Sequence, residues 1–136
     1  MQMKSLGIVF HSGSYDRVYH GLSFAVAALA LGRPVKLFFT YWALEYLKKD
    51  ALQTLPLDEE ARSHQMILKK NIENGHIVNI GELILQAKSM SGKFYACSAS
   101  MGLLNIARDE LIEAVDKSMG IATFLSETQD GQLLFI

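Results

Sequence analysis

The chain has 136 residues, of which half are hydrophobic and one fifth are charged, and its formal net charge at pH 7 is −1. This length suits one domain with a sizeable core, so we expect a single domain over residues 1–136. The near-zero charge excludes a nucleic-acid binder that depends on a basic surface, and no nucleic-acid partner is expected. Because Cys97 is the one cysteine, an internal disulfide is excluded, and a reducing, cytoplasmic compartment is predicted.

Hydropathy gives two further expectations. The mean hydropathy is positive, which is high for a small monomer and predicts a homo-oligomer that buries apolar surface between subunits. The longest uncharged apolar run, residues 21–32, is too short to span a bilayer and is typical of a buried helix. Residues 1–5 lead directly into a strand pattern and do not have the organisation of a signal peptide.

The first half of the chain alternates strand patterns with helix patterns. Leu6–Phe10 and Val35–Phe39 are short apolar runs typical of buried strands. Between them, Ser14 is a candidate N-cap for a helix that ends near Leu31. A short helix is predicted over Tyr41–Lys49.

The second half continues the same alternation. Residues 50–80 are the least regular, with one helix predicted over Glu59–Glu73 and closed by an Asn-Gly pair. One further helix is predicted from Gly81 or Glu82 to Met90, and another over residues 98–106. The third strand is Phe94–Cys97, and a short fourth strand is predicted near Ala114–Asp116.

The C-terminal tail has two interpretations. Ile121–Leu125 is either a strand that turns at Asp130 into a final strand, or part of a helix over Gly120–Thr128 that leads to that strand. Strands that alternate with helices favour the helix, and therefore an α/β fold with a parallel sheet.

Three polar segments follow predicted strand ends. They are His11–Asp16, Thr40–Trp42 and Cys97–Ser100. In parallel α/β sheets, ligands bind outside the carboxyl ends of the strands. We therefore expect these segments to share one edge of the sheet.

Cys97 is the candidate catalytic residue, because it lies between a predicted strand and a predicted helix. A thiol at a helix N-terminus faces unpaired backbone N–H groups and the positive end of the helix dipole, which favours the reactive thiolate. The hydroxyls of Ser98 and Ser100 are candidate supporting groups for a thiolate. Alternatively, both serines cap the helix and Cys97 is a buried structural residue.

Other candidate residues lie in the two remaining segments. His11 is a candidate proton carrier or thiolate stabiliser, or a hydrogen-bonded residue at the edge of the core. Trp42 either walls the pocket beside the thiol or packs in a core or interface. A candidate ligand loop for an anion or a nucleotide phosphate, which is otherwise a turn and a capped helix, comprises Ser12, Gly13, Ser14 and Asp16. Histidines and Cys97 lack metal-ligand spacing, so no metal site and no cofactor are expected.

Four features of the sequence occur together along nearly the whole chain. They are Ser12–Asp16, Leu37–Leu44, Tyr95–Met101, and Glu110–Ile112 followed by Gly120–Leu125 and a terminal hydrophobic strand. In this order they resemble the DsrE/DsrF-like sulfur-relay family. Two departures are that Ala43 stands where one subgroup has glycine and that the second cysteine of some relatives is absent.

The resemblance implies a fold and a function. The implied fold is a flavodoxin-like three-layer α/β sandwich with a mostly parallel sheet of about five strands, in which residues 120–128 are helical. The implied protein is a sulfur carrier, or sulfurtransferase-like, and forms trimers or hexamers. It would hold sulfane sulfur as a persulfide on Cys97, taken from donor proteins or small polysulfides, and pass it to a partner thiol. A small-molecule or nucleotide-binding module and an oligomeric scaffold subunit remain the alternatives.

Overall fold

The computed structural model describes residues 3–51 and 54–136. Two residues at the N-terminus, Met1 and Gln2, lie outside this range, and so do two residues of the irregular segment; the prediction that residues 1–5 lack signal-peptide organisation therefore falls partly outside the described residues. Five strands lie within it: β1 (Leu6–Phe10), β2 (Val35–Phe39), β3 (Lys93–Cys97), β4 (Val115–Met119) and β5 (Gln132–Phe135). They form one sheet in the order β4-β3-β2-β1-β5, and every neighbouring pair is parallel.

Helices connect the strands on both sides of the sheet. In chain order they are α1 (Tyr15–Ala30), α2 (Gln65–Glu73), α3 (Ile80–Ser89), α4 (Ser98–Leu103) and α5 (Ile121–Glu127), with 3₁₀ helices at Tyr41–Leu47, Glu59–His64 and Arg108–Glu110. This confirms the expected flavodoxin-like α/β sandwich and the helical interpretation of the tail. Within the described residues, no helix has both the length and the apolar character needed to cross a bilayer.

The first face of the sheet carries the larger core. Alternate strand residues point to opposite faces, so Ile8, Leu37 and Phe94 lie together on this side. Helix α1 packs on β1 and β2 and against α3. The rings of Phe10 and Phe39 stack here with centroids 4.4 Å apart, and this face holds most of the buried apolar residues.

The second face has a smaller core, to which α5 contributes one buried side chain. Phe38, Tyr95, Cys97 and Met119 point to this face and pack with Phe124 of α5. The Phe124 ring stacks on Phe38, with centroids 4.5 Å apart and planes 10° from parallel. Phe124 is the one buried residue of α5, so a single ring anchors this helix to the sheet.

Two predicted helices form with a tighter geometry. The predicted Tyr41–Lys49 helix is a 3₁₀ helix that ends at Leu47, because Lys48 is extended and bridges to Leu111. The predicted helix over Glu59–Glu73 is 3₁₀ up to His64 and α-helical only after it. Short 3₁₀ runs are typical of connectors whose backbone must turn within a few residues.

Helix α4 is three residues shorter than its predicted range of residues 98–106. Asn105 adopts a left-handed conformation with φ 55°. The N–H of Ile106 donates to Met101 O at 2.9 Å, and the N–H of Asn105 donates to Gly102 O at 3.4 Å. This pair of hydrogen bonds is a Schellman motif, in which asparagine takes the position that glycine usually occupies.

Strand β4 extends beyond the predicted Ala114–Asp116 and ends at Met119. The prediction stopped early because the centre of the strand is polar. As an edge strand it exposes Asp116, Lys117 and Ser118, so its hydrophobic pattern is interrupted. The pairing with β3 shifts by one residue between Phe94 and Tyr95, which leaves Asp116 as the bulged residue. The Asp116 carboxylate accepts hydrogen bonds from the Phe94 N–H at 2.8 Å and from Lys88 Nζ at 2.5 Å.

Replacing Asp116 by asparagine should destabilise the protein in a pH-dependent way. Burial alone would raise the pKa of Asp116, but the hydrogen bonds from Lys88 and Phe94 outweigh it and lower the pKa below its ordinary value. A lowered folded-state pKa gives stability that is present above the unfolded pKa and is lost as pH falls through the folded value. We expect Asp116→Asn to cost about 1 kcal/mol at pH 7 in urea unfolding, with the difference from wild type closing under acid.

The matched control for that experiment is Asp130→Asn. Asp130 is exposed and has no ion pair within the described residues, so its replacement should leave the unfolding free energy unchanged. An Asp116→Asn penalty that persists unchanged at the lowest pH would contradict an electrostatic origin.

Removing the Phe124 ring should weaken the attachment of α5. Phe124→Ala is expected to lower the unfolding free energy by about 3–5 kcal/mol, the usual cost of deleting a fully buried aromatic ring. Phe124→Leu should cost less, because it keeps part of the apolar contact. Leu125→Ala, next along the helix and half exposed, is the control. A Phe124→Ala effect no larger than that of Leu125→Ala would contradict the anchoring role.

Candidate functional site

Cys97 lies where β3 ends and α4 begins. It is the last residue of the strand and the N-cap residue of the helix, with an extended backbone at φ −73° and ψ 116°. Its side chain is 1% exposed and belongs to the second-face core beside Phe38 and Phe124. The sequence places the thiol at this position because β3 alternates, so that Tyr95 and Cys97 point to the same face.

A cavity of about 610 Å³ opens between α4, α5 and the ends of β1 and β2, and Cys97 lies in its wall. We call it the Cys97 cavity. Its lining is largely apolar and carries no Lys, Arg, Asp or Glu among the described residues. The main apolar residues are Val9, Phe38, Leu103, Phe124, Leu125 and Leu133. A thiol here is surrounded mostly by hydrocarbon.

Ser100 and Thr40 supply hydroxyl groups to the Cys97 cavity. The Thr40 hydroxyl is already engaged, because it donates to Phe10 O at 2.8 Å. Ser100 is only 3% exposed, and within the described part of the chain its hydroxyl has no hydrogen-bond partner. Because no fully buried side-chain oxygen there lacks a partner, the Ser100 oxygen must reach open space, and the cavity is the space that it borders.

His11 lies between two aromatic rings at the mouth of the Cys97 cavity. Its ring centroid is 4.6 Å from that of Tyr41 and 5.9 Å from that of Phe135. All three residues line the cavity. The predicted supporting residues Ser100 and His11 are therefore brought together with Cys97 around one space.

Trp42 and Ser98 are placed differently. Trp42 is 52% exposed and lines a neighbouring cavity of about 570 Å³, which we call the Trp42 cavity. Tyr41, whose backbone is left-handed with φ 45°, lines the Cys97 cavity in place of Trp42. Ser98 is exposed and does not border the Cys97 cavity. Of the two predicted serines, Ser100 is thus the one beside the thiol.

The candidate ligand loop is hydrogen-bonded within the protein. Ser14 is the N-cap of α1 without a cap bond; its N–H donates to Ser12 Oγ at 3.0 Å and its hydroxyl donates to Asp16. The N–H of Tyr15 donates to Pro56 O at 2.7 Å, and the Asp58 N–H donates to Ser14 Oγ at 2.9 Å. The segment around Pro56 thus occupies donors that a phosphate would use.

Ion pairs and a partly buried phenol hold this arrangement beside the Trp42 cavity. Arg17 pairs with Asp58 at 2.9 Å and with Glu60 at 3.0 Å. Burial raises the pKa of Tyr46, whose hydroxyl donates to Gly13 O at 2.8 Å. Since Arg17 is paired with two carboxylates, its charge is largely compensated. Among the described residues, no three potential metal ligands come together.

Sequence reasoning missed the residues of the cavity that come from outside the three polar segments. The largest contributions are from Phe38, Phe124, Leu125, Leu133 and Phe135. Strand alternation was an available signal, because Phe38 has the opposite orientation to Leu37 and Phe39. That signal needs the strand register, which pairs Val9 with Phe38 and Phe38 with Tyr95.

Two solved structures resemble this fold over nearly its full length. One is the crystal structure of the ychN protein from E. coli, with a TM-score of 0.69 and 15% identity, covering 98% of this chain and 100% of that one. The other is a protein of unknown function, MTH1491 from Methanobacterium thermoautotrophicum, with a TM-score of 0.65 and 14% identity, at 98% and 100% coverage. At these identities the likeness shows the fold.

Two curated proteins are similar in sequence. The uncharacterized protein YrkE of Bacillus subtilis (strain 168) is 25% identical, over 99% of this chain and 98% of its own length. The sulfur carrier protein DsrE2 of Allochromatium vinosum is 26% identical, over 91% of this chain and 92% of its own length. The sequence model of the DsrE/DsrF/DrsH-like family matches residues 2–65 and 51–136. With matches that span nearly the whole sequence, the chain belongs to the DsrE/DsrF/DrsH-like family.

Proposed function

We propose that this protein is a sulfur carrier that holds sulfane sulfur as a persulfide on Cys97 and passes it to the thiol of a partner. The observation that carries the proposal is the position of the Cys97 thiol in the wall of an open cavity at the carboxyl edge of the sheet. Family membership and the 26% identical sulfur carrier support it. Cys97 is the one cysteine of the chain, so the sulfur must leave to another molecule.

The proposed transfer is thiolate exchange in two steps. The Cys97 thiolate attacks the outer sulfur of a donor persulfide; a new S–S bond forms at Sγ as the donor S–S bond breaks, and the donor leaves as a thiolate. An acceptor thiolate then attacks the outer sulfur on Cys97. That bond forms while the persulfide S–S bond breaks, and the Cys97 thiolate is restored. Electrons balance in both steps, so neither an oxidant nor a cofactor is needed.

Three groups near Cys97 support an anionic sulfur in this proposal. The Ser100 hydroxyl borders the same cavity and has no hydrogen-bond partner within the described residues. His11 lines the cavity mouth and can exchange a proton with the arriving or leaving thiol. The first N–H groups of α4 follow Cys97 directly, although a helix of six residues supplies a smaller dipole than the longer predicted one.

Loading of Cys97 is tested by intact mass spectrometry. After incubation with a panel of sulfane donors (inorganic polysulfide, thiosulfate and glutathione persulfide), wild-type protein should gain sulfur that a reductant removes. Cys97→Ser should gain none, because it lacks the attacking thiolate. If no donor loads the wild type, or if both proteins gain the same adduct, the carrier proposal fails and a structural Cys97 is the better account.

Two variants test the supporting groups in the same assay. Ser100→Ala and His11→Gln should still acquire sulfur, but the adduct should be lost several-fold faster to water or solvent thiols. Ser23→Ala is the matched control for Ser100→Ala, since Ser23 lies on α1 and bonds to Tyr19 O. Unchanged adduct lifetimes in both variants would remove Ser100 and His11 from the mechanism.

We also propose that the protein works in the cytoplasm as a homo-oligomer. A single unpaired thiol suits a reducing compartment. Large apolar side chains around the Cys97 cavity are exposed, among them Phe135 at 72% and Ile121 at 56%. A monomer would leave this apolar surface in water, and a second copy of the chain is the occupant that we propose for it.

Light scattering coupled to gel filtration tests the assembly. We expect an oligomer at micromolar concentration, reduced to smaller species by Phe135→Asp. Leu31→Asp, which replaces a similarly exposed leucine at the C-cap of α1, is the control and should leave the assembly intact. A wild-type monomer, or dissociation by both variants alike, would count against this surface.

A further inference from the structure

The chemistry of the Cys97 cavity restricts which sulfur donor it can accept. No Lys or Arg borders it within the described residues, and its polar side chains are those of His11, Thr40, Tyr41, Ser100 and Cys97 itself. An anion that enters such a space loses its hydration without gaining a counter-charge, which is unfavourable. An apolar molecule instead exchanges water for hydrocarbon, which is favourable.

The dimensions of the cavity suit a small molecule. Its volume of about 610 Å³ lies within the range of roughly 300–1,000 Å³ that is typical of ligand pockets. Aromatic and aliphatic side chains form most of its wall, with Phe38 and Phe124 beside the thiol. Such a wall offers dispersion contacts to a polarisable apolar ligand.

Resting on the function proposed above, we propose that the cavity binds neutral elemental sulfur, the cyclo-octasulfur ring, and that Cys97 is loaded by opening that ring. The ring is apolar, carries no charge and has no hydrogen-bonding hydrogen. It therefore needs nothing from the cavity that its residues lack. Glutathione persulfide, a charged peptide, is the contrasting donor that this wall disfavours.

The loading step is balanced without an external oxidant or reductant. The Cys97 thiolate attacks one ring sulfur, a bond forms between that sulfur and Sγ, and the adjacent ring S–S bond breaks. The electron pair of the broken bond remains on the far end of the opened chain, which is now a covalently attached polysulfide anion. Because Leu125 in the cavity wall is half exposed, the charged end can reach water beside it.

Ser100 provides the second observation for a bound ligand at this thiol. The Ser100 residue is only 3% exposed, and its hydroxyl has no hydrogen-bond partner in the described part of the chain. Its oxygen reaches the cavity, because no fully buried side-chain oxygen among the described residues lacks a partner. No hydrogen bond joins Ser100 to Cys97 within the described residues, so the hydroxyl is available to donate to a ligand in the cavity. The sulfur chain attached to Cys97 after ring opening supplies such an acceptor.

The test compares two donors, cyclo-octasulfur and glutathione persulfide, by the initial rate of sulfur addition to Cys97 in intact mass spectra. Each rate is divided by the rate of the same donor with free N-acetylcysteine, which removes intrinsic reactivity. We expect the normalised rate to be at least tenfold higher for cyclo-octasulfur. An equal or higher normalised rate for glutathione persulfide would overturn this substrate class and leave the carrier proposal standing. Loading by neither donor would overturn the cyclo-octasulfur proposal, and the polysulfide and thiosulfate arms of the donor panel would then decide the carrier proposal.

A pair of matched variants tests whether the cavity is where the ring binds. Leu125→Glu puts a carboxylate in the cavity wall, and Leu85→Glu makes the same change on α3, which packs with α1 on the first face. Both leucines are half or more exposed, so thermal unfolding should show both variants folded. We expect Leu125→Glu to slow the normalised cyclo-octasulfur rate at least fivefold and Leu85→Glu to leave it unchanged. Equal rates in the two variants would overturn the cavity as the binding site.

Discussion

The stacking of Phe124 on Phe38 is the contact on which the second face of the sheet depends. Helix α5 buries only that ring, so the rest of the helix is held above the strands and does not press onto them. Gly7 lies near this contact, where an added Cβ atom would come within 2.7 Å of the Leu133 side chain on β5 and 3.2 Å of Thr128, the C-cap of α5. A side chain at position 7 would therefore require Leu133 and Thr128 to shift. One ring fixes the helix, and the incomplete cover leaves the Cys97 cavity beside it.

The two faces of the sheet differ in role: the first holds most of the apolar core, and the second carries the candidate site. On the first face, α1 and α3 cover the strands and enclose most of the buried apolar residues. On the second face, the cover is short and the apolar residues around it stay exposed. Because Cys97 is the last residue of β3 and points to the second face, it lies in rigid backbone while its thiol borders open space. A reactive group on a rigid element keeps its geometry better than one on a loop.

The alternation of strand and helix was predictable, and so was the position of Cys97, because apolar runs and cap residues are local signals. Strands β1, β2 and β3 agree with their predictions, and Ser14 is the N-cap of α1. Strand β4 was underestimated, since an edge strand needs few apolar residues. The end of α4 was misjudged, because asparagine at position 105 replaced the expected stop signal of glycine.

The lining of the site was less predictable than its cysteine. His11 and Ser100 were identified because they follow strand ends, and the structure brings both to the cavity. Phe38, Phe124 and Leu133 come from elements far apart in the sequence, and only the pairing register and the side on which α5 crosses bring them together. Tyr41 lines the cavity where Trp42 was expected, and its backbone has a positive φ. A tyrosine rarely adopts this conformation, and no local sequence pattern predicts it.

The strand order makes the short helix α5 a crossover connection between the two edges of the sheet. The chain leaves β4 at one edge of the sheet and enters β5 at the other, and α5 is the crossing between them. Lys36 of the middle strand donates to the carbonyl of Glu127 at the end of this helix, at 3.0 Å. Helix α5, which forms part of the wall of the Cys97 cavity, thus also connects the two edges of the sheet. Moving α5 away from the sheet to widen the cavity would also displace β5. Access to the Cys97 thiol is therefore coupled to the pairing of β5 at the edge of the sheet.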